Sequence, residues 1–295
     1  GRGGGGAGRA GARARAGGPV RIELLEYAFM QRALLASVLI GLAAPSVGIF
    51  LVQRRLSLIG DGLGHVALTG VAIGLVTSTS PVQTALVAAV VGSVAVELIR
   101  VSGRASGDVA LAVLFYGGIA GGVVIVSKAP EGTPVNLDAY LFGSITTTTR
   151  GDVVAFAILA VLVLAVTHGL GRHLFAVSND EEHARAAGLP VVGLNVALAV
   201  VTSITVVVSM RVVGLLLISA LMVIPVATAQ LVTRSFRATS LVATAIGLVA
   251  SVSGTGASYY WDTPSGGTIV LLAVGAFVVL SLVTGVAARL RRSPG

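Results

Sequence analysis

The sequence contains no cysteine, one lysine, one tryptophan and little charge: Asp, Glu, Lys and Arg make up 11% of its 295 residues. Without cysteine there is no disulfide framework and no thiolate for a metal or redox centre, so any metal must be held through oxygen and nitrogen. The lone lysine, Lys128, follows Ser127, whereas a P-loop needs a Gly-Lys pair to cradle phosphates. The chain therefore cannot hydrolyse ATP by that route and must borrow a motor if it is primary-active. With 55% hydrophobic residues and a mean hydropathy of +0.96, it is no soluble domain of this length but a polytopic membrane protein. The net charge of +8 invites a nucleic-acid reading, yet 6 of the 20 Lys and Arg residues fall in the first 32 positions and the others flank apolar runs. Basic charge placed this way reports topology and contact with the lipid bilayer, so no nucleic-acid partner is expected.

Residues 1–26 read as a Gly/Ala/Arg-rich disordered tail with the start of an amphipathic lead-in, Glu23 to Arg32; they are too poor in large apolar side chains to order themselves. No apolar core of a signal peptide separates the arginines from Glu23. Residues 27–295 form the transmembrane domain, expected to be an all-α helical bundle of about nine spans, with eight as the alternative. The runs lie near Ala33–Val52, Leu56–Val76, Val82–Ile99, Val109–Ser127, Val153–His168, Val191–Met210, Val212–Val232, Ala238–Tyr260 and Gly267–Ala287. Alternate connections on one side hold 11 basic residues, from Arg54 and Arg55 to Arg292, against 3 on the other, Lys128, Arg150 and Arg211. The positive-inside rule makes the first set cytoplasmic and puts the N-terminus outside, against the charge of the basic tail.

The second run, LSLIGDGLGHVALTGVAIGLV, carries Asp61 and His65. Titratable groups at membrane depth are costly and mark functional sites unless they merely pair with each other or with a neighbouring helix. At i and i+4 they share a helix face. Carboxylate with imidazole suits zinc, manganese or ferrous iron. Counting from Arg55 at ~1.5 Å per residue, Asp61 lies ~9 Å and His65 ~15 Å into a ~30 Å core, near the midplane.

Between the fifth and sixth runs, Asp180, Glu181 and Glu182 precede Ala184, Ala186, Ala187 and a Gly188-Leu189-Pro190 stop. This predicts a short cytoplasmic helix, either a docking element for a soluble motor or a plain surface helix. Glu97 and Arg100 read as an i,i+3 ion pair. His168, His173 and His183 are interfacial, and Tyr259, Tyr260 and Trp261 form an outer aromatic cluster. Pro225 predicts a kink in the seventh run, structural or lining a path. Pro130 to Gly143 is an outer loop that either dips back as a short helix or lies at the interface.

The run from Gln31 to Gly74, with its Arg32-Ala33-Leu34 start, Arg54-Arg55 inner turn and Gly60-Asp61-Gly62-Leu63-Gly64-His65 followed by Gly70, resembles the integral-membrane permeases of zinc, manganese and iron-chelate ABC importers. Tyr140-Leu141-Phe142-Gly143, Ala184 to Gly188 and the Val-Ile-Pro stretch within Val213 to Ala229 support it. The resemblance covers nearly all of the chain after residue 27. It implies a BtuC-like type II ABC importer permease in a bacterial cytoplasmic membrane, a transport subunit rather than an enzyme, working as a homodimer. It also implies two copies of a separate ATP-binding subunit and an extracytoplasmic metal-binding solute-binding protein. Asp61 and His65 match the family's metal positions, and the inner helix with Glu181, Glu182, Ala184, Ala187 and Gly188 matches its ATPase-coupling element. No cofactor is held permanently; the cargo expected is zinc, then manganese, with iron a further candidate. Gly62 and Gly64 depart from the family, which usually has Ala and Ser there.

Two rival readings use the same residues. A gradient-driven secondary transporter would use Asp61 as its ion-coupling site but has no need of the inner helix. An intramembrane metalloenzyme would hold a catalytic metal on the pair but lacks a further acid or base at that depth.

Overall fold

The computed structural model describes residues 27–103, 106–128, 137–144, 146 and 148–292; the tail, the first half of the outer loop before Leu137 and the last three residues lie outside them. Every described element is helical: α1 (Ala28–Gln53), α2 (Ile59–Val76), α3 (Pro81–Val101), α4 (Gly107–Val126), α5 (Leu137–Phe142), α6 (Arg150–Gly169), α7 (Gly171–Asn179), α8 (Glu181–Ala186), α9 (Val191–Ser209), α10 (Leu215–Gln230), α11 (Phe236–Trp261) and α12 (Ser265–Arg292). In hydrocarbon the backbone must satisfy its own hydrogen bonds, and a helix does so within one segment. The chain marks the ends with local chemistry. Pro81 opens α3, Thr149 and Asp152 form a capping box on α6, Asp180 accepts from the His183 backbone N–H, and Asp262 ends α11 with φ 50°.

Eight of these helices are long and apolar enough to cross a membrane. α10 is shorter: its 16 residues span only ~24 Å. Its ends nevertheless reach opposite faces of the bundle. Gly214, just before it, lies against Leu141 and Phe142, whereas Gln230 at its far end shares a pocket with Gln53 of α1 and Phe175 of α7. Among the described residues, eight helices thus have spanning length against the nine runs expected, and α10, the seventh run, is the short one. The expected start at Val212 shifts because Gly214 sits at φ 91°, a backbone conformation that ends helical winding. The expected interfacial lead-in is also corrected at its end, since Ala28 to Arg32 belong to α1.

α1 and α9 are the most enclosed spans and α12 the most exposed; α10 contributes Leu215, Ile218, Leu221, Met222, Val226 and Ala229, all fully buried. Lipid is as apolar as these side chains, so helices here hold together through close packing and hydrogen bonds rather than burial from water. Across α1 and α11, Ser37 Oγ and Thr255 Oγ1 lie 2.5 Å apart and Ser251 Oγ donates to the Ser37 carbonyl at 2.8 Å. The outer end is pinned by Arg211 on Asp152 at 3.0 Å and by Tyr27 beside Tyr259, ring centroids 6.2 Å apart. The inner end carries a set of ion pairs joining the α1–α2 turn, α3 and α8.

Candidate metal site

Asp61 and His65 stand on successive turns of α2, both partly buried. α2 begins at Ile59 because Arg54 to Leu58 form a turn. Asp61 is therefore in the first helical turn and His65 ~9 Å along a helix ~27 Å long. The pair sits nearer the inner end of its helix than the midplane position counted from Arg55.

Two neighbours shape the pair. Ser219 of α10 donates its hydroxyl to Asp61 Oδ1 at 2.5 Å, reaching it where Gly60 leaves room beside the Ser219 Cβ. Phe115 of α4 meets the His65 ring edge-on, centroids 4.5 Å apart at 73°. Asp61 makes no ion pair or hydrogen bond with His65 among the described residues, so the two are not a self-satisfied packing pair. His65 Nδ1 is buried without a hydrogen-bond partner, a condition that costs free energy until something occupies that lone pair or proton. One chain offers two donors, and no group of three or more His, Asp or Glu side chains that could enclose an ion occurs among the described residues.

Close packing fixes where the pair stands. A Cβ on Gly118 of α4 would lie 2.7 Å from the His65 carbonyl carbon, and Thr69 Oγ1 donates to the Gly118 carbonyl at 2.6 Å. Gly64, a departure from the family pattern, faces the Leu215 carbonyl at 3.0 Å from an added Cβ; α10 lies close there and leaves a side chain little space.

The predicted inner helix is α8, preceded by α7. Its residues divide between two faces. Ala184 is 1% exposed and Glu181 turns to the bundle, pairing with Arg100 at 3.0 Å; Glu182, His183, Ala186, Ala187 and Gly188 are exposed. Any partner would touch this second group, while Glu181 and Ala184 hold the helix in place. A cavity of about 540 Å³ lies between Phe50, His168, Arg172, Phe175, Phe236 and Leu241. It contains neither Asp61 nor His65, and with Arg172 and Arg237 and no carboxylate in its lining it offers no cage for a cation.

Ser219 and Phe115 were not visible from the sequence as site residues. Ser219 had one signal, a hydroxyl isolated among Leu, Ile, Ala and Met in α10; Phe115 had none.

The ABC 3 transport family matches residues 26–284. The chain belongs to that family. This ABC 3 member is 30% identical over 257 residues to the manganese transport system membrane protein MntC of Halalkalibacterium halodurans, covering 87% of this chain and 88% of the relative. It is 33% identical over 263 residues to a probable metal transport system membrane protein of Treponema pallidum, covering 88% and 96%. The solved structure of PsaBC from Streptococcus pneumoniae in complex with Fab superposes with a TM-score of 0.77 at 27% identity, over 88% of this chain and 94% of that one. The ABC 3 member described here is thus a metal-transport permease of the ABC importer type, a multi-pass helical bundle.

We expect Ser219→Ala to weaken metal transport about tenfold to a hundredfold, the usual effect of losing a group that orients a metal ligand. The Asp61 carboxylate would lose the one hydrogen bond it accepts among the described residues and swing more freely. Uptake kinetics in cells would show the change as a raised half-saturating metal concentration at unchanged protein level.

Proposed function

We propose that this chain forms the pathway of a bacterial cytoplasmic-membrane importer for a divalent transition metal, working as a homodimer driven by a separate ATPase docked on α8. Manganese is placed first and zinc second, the reverse of the order favoured by the sequence, because a relative that shares nearly the full length is named for manganese and the donor pair accepts either ion. The observation that carries the reading is the His65 imidazole, whose buried Nδ1 lacks a partner one turn from a carboxylate held by Ser219.

Two donors do not complete a shell: zinc takes about four ligands and octahedral ions about six. A twofold axis bringing Asp61 and His65 of two copies together supplies four, with water as the remainder, and such isologous pairing is the commonest oligomer symmetry. A transport site also has to release its ion, which favours a shell assembled between subunits over a closed cage within one. A metal-loaded solute-binding protein on the outer face would deliver the ion, and the exposed face of α8, with Glu182, His183, Ala186, Ala187 and Gly188, would receive the motor.

Reconstitution with the partner ATPase and binding protein tests this. ATP-dependent uptake of manganese or zinc, with hydrolysis stimulated by the metal-loaded binding protein, is the expected result. Uptake driven by a proton or sodium gradient without ATP would overturn it in favour of secondary transport through Asp61.

A further inference from the structure

We propose that Glu97, Arg100 and Glu181 are positioning residues for transport: a continuous ion-pair chain through which displacement of α8 moves the inner ends of α3 and of α2, the helix that holds the metal pair. The proposal rests on the reading of α8 as the element that docks the motor.

The geometry is that of one guanidinium bridging two carboxylates. Arg100 Nε and Nη2 donate to Glu97 Oε2 and Oε1 at 3.1 and 2.7 Å, and its Nη1 donates to Glu181 Oε2 at 3.0 Å. Arg185 also reaches Glu181 Oε1 at 3.1 Å, but within α8 and with its side chain 57% exposed, so it joins no second element; Arg54 Nη2 approaches Glu97 Oε1 at 3.9 Å. The Glu97 and Arg54 side chains are 3% and 7% exposed, so this half of the chain is shielded from water and salt. Burial pushes the Arg54 pKa down from its usual value and the charge of Glu97 offsets this only in part; Arg54 Nη2 makes no hydrogen bond among the described residues, so its link to Glu97 is electrostatic. A fork-shaped guanidinium fixes direction as well as distance, which a lysine ammonium does not.

The chain joins elements that otherwise have separate duties. Glu181 and Arg100 lie 81 residues apart in sequence. α8 has only six residues, with Ala184 as its one buried side chain, so the Arg100 contact is a principal attachment to the bundle. From Glu97 and Arg100 two routes lead to the metal helix. Arg54 begins the turn that enters α2 and is followed within its first turn by Asp61. α3 itself packs along α2, with Gly92 against Val66 and Gly70 against Ala85. A bond that served only to neutralise Glu97 would be complete with Arg100 and Arg54; the third carboxylate, on another element, adds a mechanical connection.

The test compares metal ions taken up per ATP hydrolysed in proteoliposomes holding the permease, its ATPase and the metal-loaded binding protein. Glu181→Gln should lower that ratio about tenfold, the scale on which residues along a coupling route act. Arg100→Lys, which keeps the charge and cannot bridge both carboxylates, should lower it several-fold, and Arg185→Gln should leave it at the wild-type value. A ratio unchanged in both Glu181→Gln and Arg100→Lys, whatever the total activity, overturns the proposal, as does an equal fall in Arg185→Gln. Wild-type protein lacking metal-dependent hydrolysis would instead refute the importer reading itself.

Discussion

Replacing Asp61 or His65 with alanine should stop metal uptake and leave the permease in the membrane at its normal level. The structure separates these two outcomes. Among the described residues neither side chain carries an ion pair, and each makes a single weak contact with another helix: Asp61 accepts one hydroxyl, from Ser219, and His65 rests edge-on against Phe115. Losing such a ring contact costs about 0.5–1.5 kcal/mol, and removing a carboxylate from hydrocarbon returns part of its desolvation cost. Asp61→Asn should therefore be at least as stable as the wild type while transporting no better than Asp61→Ala. In the proposed dimer each substitution removes two donors of four, because both copies change at once. Radiolabelled manganese and zinc uptake, with immunoblots of membranes and co-purification of the ATPase, reads all of this. Near-normal uptake of both ions by the double mutant would show that the pair is only packing.

The opposite balance applies to Glu97→Ala. The Glu97 side chain is 3% exposed and its loss leaves the guanidinia of Arg100 and Arg54 facing each other at the inner boundary with no acid between them. Breaking a buried ion pair from one side costs about 3–5 kcal/mol. The Arg100 side chain is 21% exposed and keeps Glu181, so the lower figure, about 3 kcal/mol, is expected. The measurement is the thermal midpoint of the purified protein in detergent together with the amount inserted in membranes, both of which should fall. Glu97→Gln, which can still accept one hydrogen bond, should fall less. Equal midpoints for wild type and Glu97→Ala would remove the argument that this carboxylate organises the inner end.

The spans were legible because hydrocarbon imposes a simple rule on composition, and Asp61 and His65 were legible because they break it. The short inner helix could be read from Asp180, the acids after it and the Gly188-Leu189-Pro190 stop, all of which act within a few residues. What the sequence did not disclose depends on pairings between distant positions. Ser219 finds Asp61 across 158 residues, Glu181 finds Arg100 across 81, and no local pattern encodes either. The same limit explains the inner helix itself. Ala184 and Ala187 look alike in sequence, yet one is buried and the other exposed, because α8 lies flat on the bundle. The start of α10 was misplaced since a glycine at positive φ interrupts an otherwise unbroken apolar run. Residues 1–26 and the loop before Leu137 lie outside the described residues.

The meeting of Gly118 with the His65 backbone bears on selectivity. Because α4 lies directly on α2 there, and Thr69 bonds back to the Gly118 carbonyl, the two helices behave as one stiff slab, and the spacing of carboxylate and imidazole is set when the chain folds. The Cα positions of the two donors are then held, and only side-chain rotation within one copy can adapt to a smaller or larger ion. In a dimer the adjustable dimension is the gap between the two slabs. Discrimination among ions of similar charge would then be exercised by how closely two copies approach, and residues far from Asp61 and His65 that alter this approach would change which metal is carried.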